Sequence, residues 1–213
     1  KDLGKLHKAA FEGNLTKLKS LLKKGDVNLL DKENRTPLHL ACANGKIDAV
    51  KMLVDYPNCN LNLCDNDRRS ALMKCVQCQY QNCMNILLQK GADISLSDVN
   101  GNTALHLAVS IPSVDLCYLL LDYSADVHAK NKDGSTPLHI AATVDGSEDT
   151  IKLLLDDGAQ INSAEGKGKT PLMLAASRGN LDIVKTFLSK GADATIRDKH
   201  LGWTADQYAS VNG

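Results

Sequence analysis

Residues Thr36–Gly45 read TPLHLACANG: a threonine, a proline directly after it, then an apolar run holding His39 and Cys42. Positions three apart share a helix face, so this pair has the spacing of a base beside a thiol nucleophile. The remainder of the chain decides between that chemistry and a packing role. The hexad returns as GKLHKA at Gly4, SALMKC at Ser70, TALHLA at Thr103, TPLHIA at Thr136, TPLMLA at Thr170 and TADQYA at Thr204. Successive spacings are 32, 34, 33, 33, 34 and 34 residues. A fixed period of this length is the mark of a repeat architecture, each repeat being one supersecondary unit that buries its apolar face only against its neighbours.

The physics of one repeat follows from its residues. Thr136 is expected to cap a helix by accepting first-turn amides, and Pro137 follows where no amide is needed. A short first helix carries Ala41, Ala108, Ala141 and Ala175, small enough for close packing of the next layer. After a turn such as NGK at 44 or RGN at 178, a second helix shows apolar residues at helical spacing: Ile47, Val50, Leu53 and Val54, or Ile183, Val184, Phe187 and Leu188. Gly25, Gly91, Gly158 and Gly191 are placed to end that helix in the left-handed conformation. Segments such as GADISLSDVNGN form an extended tip leading to the next cap. The exits DYPNCNLN (55–62) and DYSADV (122–127) lack the glycine, and SIPS (110–113), TVDGSED (143–149) and DKHLGW (198–203) alter turns or tips, exposing Ile111, Pro112 and Trp203.

These motifs resemble the ankyrin repeat, whose T-P-L-H-x-A signature recurs at 33 residues. The resemblance covers essentially the whole chain. It implies an all-α ankyrin-repeat solenoid, elongated, of stacked helix-turn-helix units with extended hairpin-like tips. The expected organisation is one domain over 1–213 with about seven units starting near 2, 35, 69, 102, 135, 169 and 203, the last cut short as part of a longer polypeptide.

Bulk properties narrow the function. The 213 residues hold 25 basic and 25 acidic side chains, and a net charge of zero removes the main electrostatic case for nucleic acid. Residues 1–35 are nevertheless net +4 and residues 103–169 net −5. The N-terminal lysines (1, 5, 8, 17, 19, 23 and 24) read as a solvated end cap, with an acidic partner or membrane surface as the alternative. No run approaches the roughly 20 apolar residues of a membrane span, and no signal peptide opens the chain, so no membrane insertion and a cytoplasmic location are expected. Seven cysteines in helical context suit reduced thiols.

Candidate chemistry yields to the register. His7, His39, His106 and His139 share one position, filled elsewhere by Met73 and Met173; a catalytic histidine is needed once, whereas a packing histidine repeats. Cys42 falls where Ala142 and Ala176 fall. The stretch CVQCQYQNC offers a C-x-x-C, but Cys75 replaces Ala41 and Cys83 replaces Ala49, and no second pair completes a zinc site. Only Cys78 sits at an exposed turn. EGKGK (165–169) lacks phosphate-loop spacing. No catalytic, metal-binding or cofactor residues are assigned, and the chain is read as a non-enzyme.

The resemblance implies a scaffold that binds a protein partner on its concave face, through side chains at the tips and the outward face of the first helix. The candidate partner-binding residues are Arg35, Asn44, Arg69, Asn100, Ile111, Asp133, Val144, Lys169, Arg178 and Trp203. Arg35, Arg69, Ile111, Arg178 and Trp203 rank first by side-chain type. DLGKLHKAA at Asp2, NRTPLHLACANG at Asn34 and ALMKCVQCQ at Ala71 resemble the vertebrate ankyrin-plus-coiled-coil group that includes the POTE proteins and ankyrin repeat domain protein twenty-six. That implies a monomeric repeat block within a parent oligomeric through a coiled coil, at the centrosome or centriole. A regulatory block of a larger enzyme, such as a kinase or transferase, is the alternative. Asn28, Asn62 and Asn162 resemble asparagines that are hydroxylated in some ankyrin proteins.

Overall fold

A computed structural model describes residues 4–212. Lys1, the start of the first repeat near residue 2 and Gly213 lie outside the described residues. Among these, thirteen helices and an isolated bridge between Cys64 and Ser70 account for the regular structure, with no strand. The chain divides into two compact units, Lys1–Val99 and Asn100–Gly213.

Unit 1 contains three helix pairs: α1 (Lys5–Glu12) with α2 (Leu15–Leu22), α3 (Pro37–Ala43) with α4 (Ile47–Val54), and α5 (Ala71–Gln77) with α6 (Gln81–Gln89). The first helices α1, α3 and α5 pack in series, as do the second helices α2, α4 and α6. Unit 2 repeats the scheme with α7 (Ala104–Val109) and α8 (Val114–Asp122), α9 (Pro137–Ala141) and α10 (Glu148–Asp156), and α11 (Pro171–Arg178) and α12 (Leu181–Ser189). α13 (Ala205–Asn212) then lies against α11. This is the expected all-α architecture of helix-turn-helix repeats.

Each layer is sealed by small and aliphatic residues. Ala41, Ala108, Ala141 and Ala175 are completely buried, as are Val50, Leu53, Leu120, Leu154, Ile183 and Phe187 from the second helices. Burial of such side chains, at about 25 cal/mol per Å² of apolar surface, is what favours stacking over any single helix pair.

Caps follow the sequence closely, with informative differences. Thr36, Thr103 and Thr170 accept the amide three residues on at 3.3, 3.5 and 3.3 Å. At Thr136 the amide of His139 instead reaches the Thr136 carbonyl at 3.0 Å, while the Thr136 hydroxyl meets the His139 ring. Gly91, Gly158 and Gly191 are left-handed (φ 81°, 96° and 87°), but Gly25 is not. α2 ends on Lys23 in right-handed geometry, so Gly25 serves close passage of the chain, where a Cβ would come 3.0 Å from the Leu21 carbonyl oxygen. In the two exits without glycine, Asn58 and Ser124 take the left-handed conformation themselves (φ 62° and 65°).

Candidate functional site

The shared histidines are structural links between layers. The Nε2 of His7, His39 and His106 lies 2.9 Å from the carbonyl of Arg35, Arg69 and Ser135, each in the next repeat. His139 reaches two carbonyls, Ser163 at 2.8 Å and Lys169 at 3.2 Å. A carbonyl only accepts, so Nε2 carries the proton and Nδ1 is free to accept the N–H of Thr36, Thr103 or Thr136 at 3.1–3.2 Å. Burial pushes His39 and His139 below the ordinary imidazole range, outweighing the carbonyl contacts that favour the cation. Neutral imidazoles committed at both nitrogens have no proton-transfer role to offer. Met173, in the same register, substitutes a weak acceptor, its sulfur 3.5 Å from the Thr170 amide.

The cysteines fit the same frame. Cys42, Cys75, Cys83 and Cys117 are fully buried, Cys59 and Cys64 half-buried, and Cys78 is exposed. Burial pushes the Cys117 thiol to about 12 and Cys59 to about 11, far from thiolate chemistry. Contact with Cys75 and burial both raise Cys83. Among the described residues no group of three or more His, Cys, Asp or Glu side chains is arranged to hold a metal.

The tips form the other element of the site. Each turns on a polar first residue: the Asp31, Asp65 and Asn131 side chains, and that of Glu165, each accept two amides from their own turn. Neighbouring tips are joined by single backbone bonds, Asn66 N–H to Glu33 and Val99 N–H to Asp67 in unit 1, and Lys132 to Asn100, Gly166 to Asp133 and Lys199 to Lys167 in unit 2. At the bases of the tips, asparagine oxygens bridge repeats: Asn28 accepts the Asn60 amide, Asn62 that of Asp93, and Asn162 that of Asp193, at 2.8–2.9 Å. These bridges account for Asn28, Asn62 and Asn162 as scaffold.

The ten candidate contact residues fare unequally. Arg35 is half-buried and held by Asp31 at 2.7 Å and Glu33 at 3.2 Å. Burial acts to raise the Asp31 carboxyl, but the Arg35 side chain and tip amides outweigh it and hold it low. Arg69 lies 3.7 Å from Asp67 and 3.8 Å from Asp98. Asn44 caps α3 by donating to the Leu40 carbonyl. These three, all in unit 1, are already engaged within the chain. In unit 2, Asn100, Asp133 and Arg178 are exposed, and Ile111 and Val144 half-buried at helix turns. Trp203 packs edge-on against Tyr208, with ring centroids 5.3 Å apart, and the Lys169 ammonium sits 4.5 Å from the centre of the Tyr208 ring. Tyr208 donates to Asp198; burial raises the Asp198 carboxyl, yet this hydroxyl and the surrounding amides prevail and hold it at about 2.

Two features of the site escaped the sequence reading. Lys74, on the outward face of α5, is drawn into a 2.6 Å ion pair with buried Asp65. In unit 2 the equivalent first-helix positions are Leu107, Ile140 and Leu174, all half-exposed, and they floor two adjoining grooves of about 450 and 460 Å³ that share Lys132 and Asp133. The signal was present in the register, where this position reads Lys8, Leu40, Lys74, Leu107, Ile140, Leu174 and Tyr208.

Comparison with known proteins agrees with this architecture. Models of ankyrin repeats in three copies match residues 6–98 and 94–165, and a model of ankyrin repeats in many copies matches 153–209. Human Ankyrin repeat domain-containing protein 7 is 61% identical over 57 residues, which make up 26% of this chain and only 22% of that protein. Among solved structures, the human ASB11 ankyrin repeat domain superposes with a TM-score of 0.84 at 26% identity, covering 99% of this chain and 98% of that one. A chain from the Bd0816 predatory endopeptidase of Bdellovibrio bacteriovorus in complex with immunity protein Bd3460 gives 0.80 at 28% identity, covering 89% and 100%. Ankyrin repeats are protein–protein interaction modules, and no helix among the described residues is long and apolar enough to cross a membrane. With matches running almost from end to end, the chain belongs to the ankyrin-repeat family.

Proposed function

We propose that this chain is a non-enzymatic binding module whose tips and first-helix faces engage a protein partner. The observation that carries the reading is the half-exposed column of Leu107, Ile140 and Leu174, bordered by the tips of unit 2. Apolar side chains left in shallow polar-rimmed grooves favour burial against another chain. The repeated imidazoles and the buried thiols, by contrast, are spent on packing.

The seven repeats act as one block, and the parent is a longer protein of the cytoplasm and centrosome or centriole, oligomeric through a coiled coil. The resemblance of the stretches at Asp2, Asn34 and Ala71 to the ankyrin-plus-coiled-coil group supports this extension. Proximity labelling by the parent protein, with and without the repeat block, identifies the partner. Alanine at Arg35, Arg69, Ile111, Arg178 and Trp203 together is expected to weaken that partner at least tenfold, roughly the loss of one hot-spot residue. Unchanged affinity overturns the assignment of the face.

A further inference from the structure

Resting on the binding role just proposed, we infer that the grooves of unit 2 take an extended acidic segment of the partner, with apolar side chains at about every third residue. Three observations converge on that chemistry.

The first is the sign of the available charge. Lys132, Lys167 and Lys199 are exposed on three successive tips, and none forms an ion pair among the described residues. The acids at the grooves are Asp133 and Glu165, the latter accepting the Lys167 and Lys169 amides, both at 3.0 Å. Unit 1 differs in that two of its tip arginines, Arg35 and Arg69, are paired with Asp31, Glu33, Asp67 and Asp98, while Lys32 and Arg68 stay exposed. Taken together, the grooves set Lys132, Lys167 and Lys169 against Asp133 and Glu165, a formal excess of one positive charge that lies in the second groove, with Lys199 exposed on the next tip, although residues 103–169 as a whole are acidic.

The second is the floor. Leu107, Ile140 and Leu174 project from α7, α9 and α11, which pack in series. Packed helices stand about 8–10 Å apart, so the three side chains span roughly 16–20 Å. A segment extended as a polyproline II helix rises about 3.1 Å per residue with three residues per turn, so some six residues cross the column and every third side chain, about 9 Å from the last, faces the floor.

The third is access. Gly166 and Gly168 keep the tips slender: a Cβ on Gly166 would come 2.7 Å from the Asp133 carbonyl oxygen, and one on Gly168 would come 2.6 Å from the Lys199 stem. The Lys199 stem thus lies along the neighbouring tip, while Lys132 and Lys167 line the grooves themselves. An apolar floor beneath isolated ammonium groups suits a peptide better than a nucleic acid, which needs a broader basic surface and stacking platforms.

The test is selection of a random library of 12-residue peptides on the immobilised full chain, followed by fluorescence anisotropy. Enriched peptides are expected to be net acidic with Leu, Ile or Val at spacing of about three. Lys132→Glu with Lys167→Glu should raise their Kd at least ~10-fold, whereas Lys5→Glu with Lys8→Glu, on α1, should leave it within twofold of the parent. Unchanged thermal melting confirms that both variants fold. Enrichment of neutral or basic peptides, no enrichment, indifference to the Lys132 and Lys167 reversals, or binding confined to an oligonucleotide or to anionic vesicles would each overturn the inference. If the five-alanine variant loses the labelled partner while the lysine reversals do not, the binding face stands and the acidic segment falls. If neither variant loses it, both fall.

Discussion

In unit 1 a tip turns on Arg68 in the left-handed region (φ 58°), and in unit 2 the equivalent turn is made by Gly134 (φ 74°). The same contrast holds for Asn34 (φ 55°) against Gly101 and Gly168 (φ 77° and 81°). At the base of those tips, unit 1 buries the ion pair Asp65–Lys74, whereas unit 2 places Asn131 and Ile140 in the same positions. One layer design is thus met by two chemistries. Unit 1 uses side chains to hold its own tips together, and unit 2 uses glycine and leaves its side chains to face outward. This difference explains why the engaged arginines lie in unit 1 and the open grooves in unit 2.

The inter-repeat histidine bond is common to both units, and breaking it should have the largest effect. His139→Ala removes the donor to Ser163 and Lys169 and orphans the Thr136 amide inside the fold, at a cost of roughly 2–4 kcal/mol by urea unfolding. His139→Met copies the Met173 solution and should cost about 1–2 kcal/mol less than alanine, because volume is retained. Equal losses for both variants would mean that the bond and not the packing sets the cost. The bond also carries a pH signature. The folded pKa of His39 and His139 lies below the unfolded value, so their contribution is complete above about 6.5 and is lost as pH falls through the folded pKa. Stability of the wild-type chain should decline in that window, and less so in the His139→Met variant.

A smaller effect tests the tips directly. Gly134→Ala sets a Cβ 2.8 Å from the Gly166 nitrogen at a left-handed position, and should cost roughly 1–3 kcal/mol. The mirror change, Arg68→Gly, relieves left-handed strain against the added freedom of glycine in the unfolded chain, for a net gain of about 0.5–1 kcal/mol. Loss of stability in Arg68→Gly would show that the arginine side chain contributes more than its backbone strain costs.

How far the sequence reveals this molecule depends on whether a feature repeats. The caps at Thr36, Thr103 and Thr170 and the linking histidines recur in register, and the buried Cys42, Cys75 and Cys83 stand where other repeats carry alanine, so period and residue type located them. Arg69 is the opposite case. Its chemistry ranked it among the best anchors, but Asp98 lies 29 residues away and comes within 3.8 Å only through stacking. Gly25 resembled the other helix-stopping glycines, yet local chain geometry decides its conformation, and Ser124 fills a role that its type does not advertise. Individual departures from the repeat acquire meaning only when the neighbouring layer is in place.

The ion pair of unit 1 gives the sharpest test of that lesson. Lys74→Ile alone installs the residue of unit 2 but leaves the buried Asp65 carboxylate without its cation, although the Asp67 and Arg69 amides still reach it. A loss of about 1–2 kcal/mol is expected, below the range for a fully buried pair because Lys74 keeps partial access to water. Asp65→Asn alone should cost about 1 kcal/mol, since the amide oxygen still accepts from the turn while the lysine loses its counter-charge. The double variant rebuilds the Asn131–Ile140 arrangement and should return to within about 0.5 kcal/mol of the parent, a coupling of roughly 1–2 kcal/mol in a double-mutant cycle. Additive losses would mean that the two chemistries are not interchangeable within this layer.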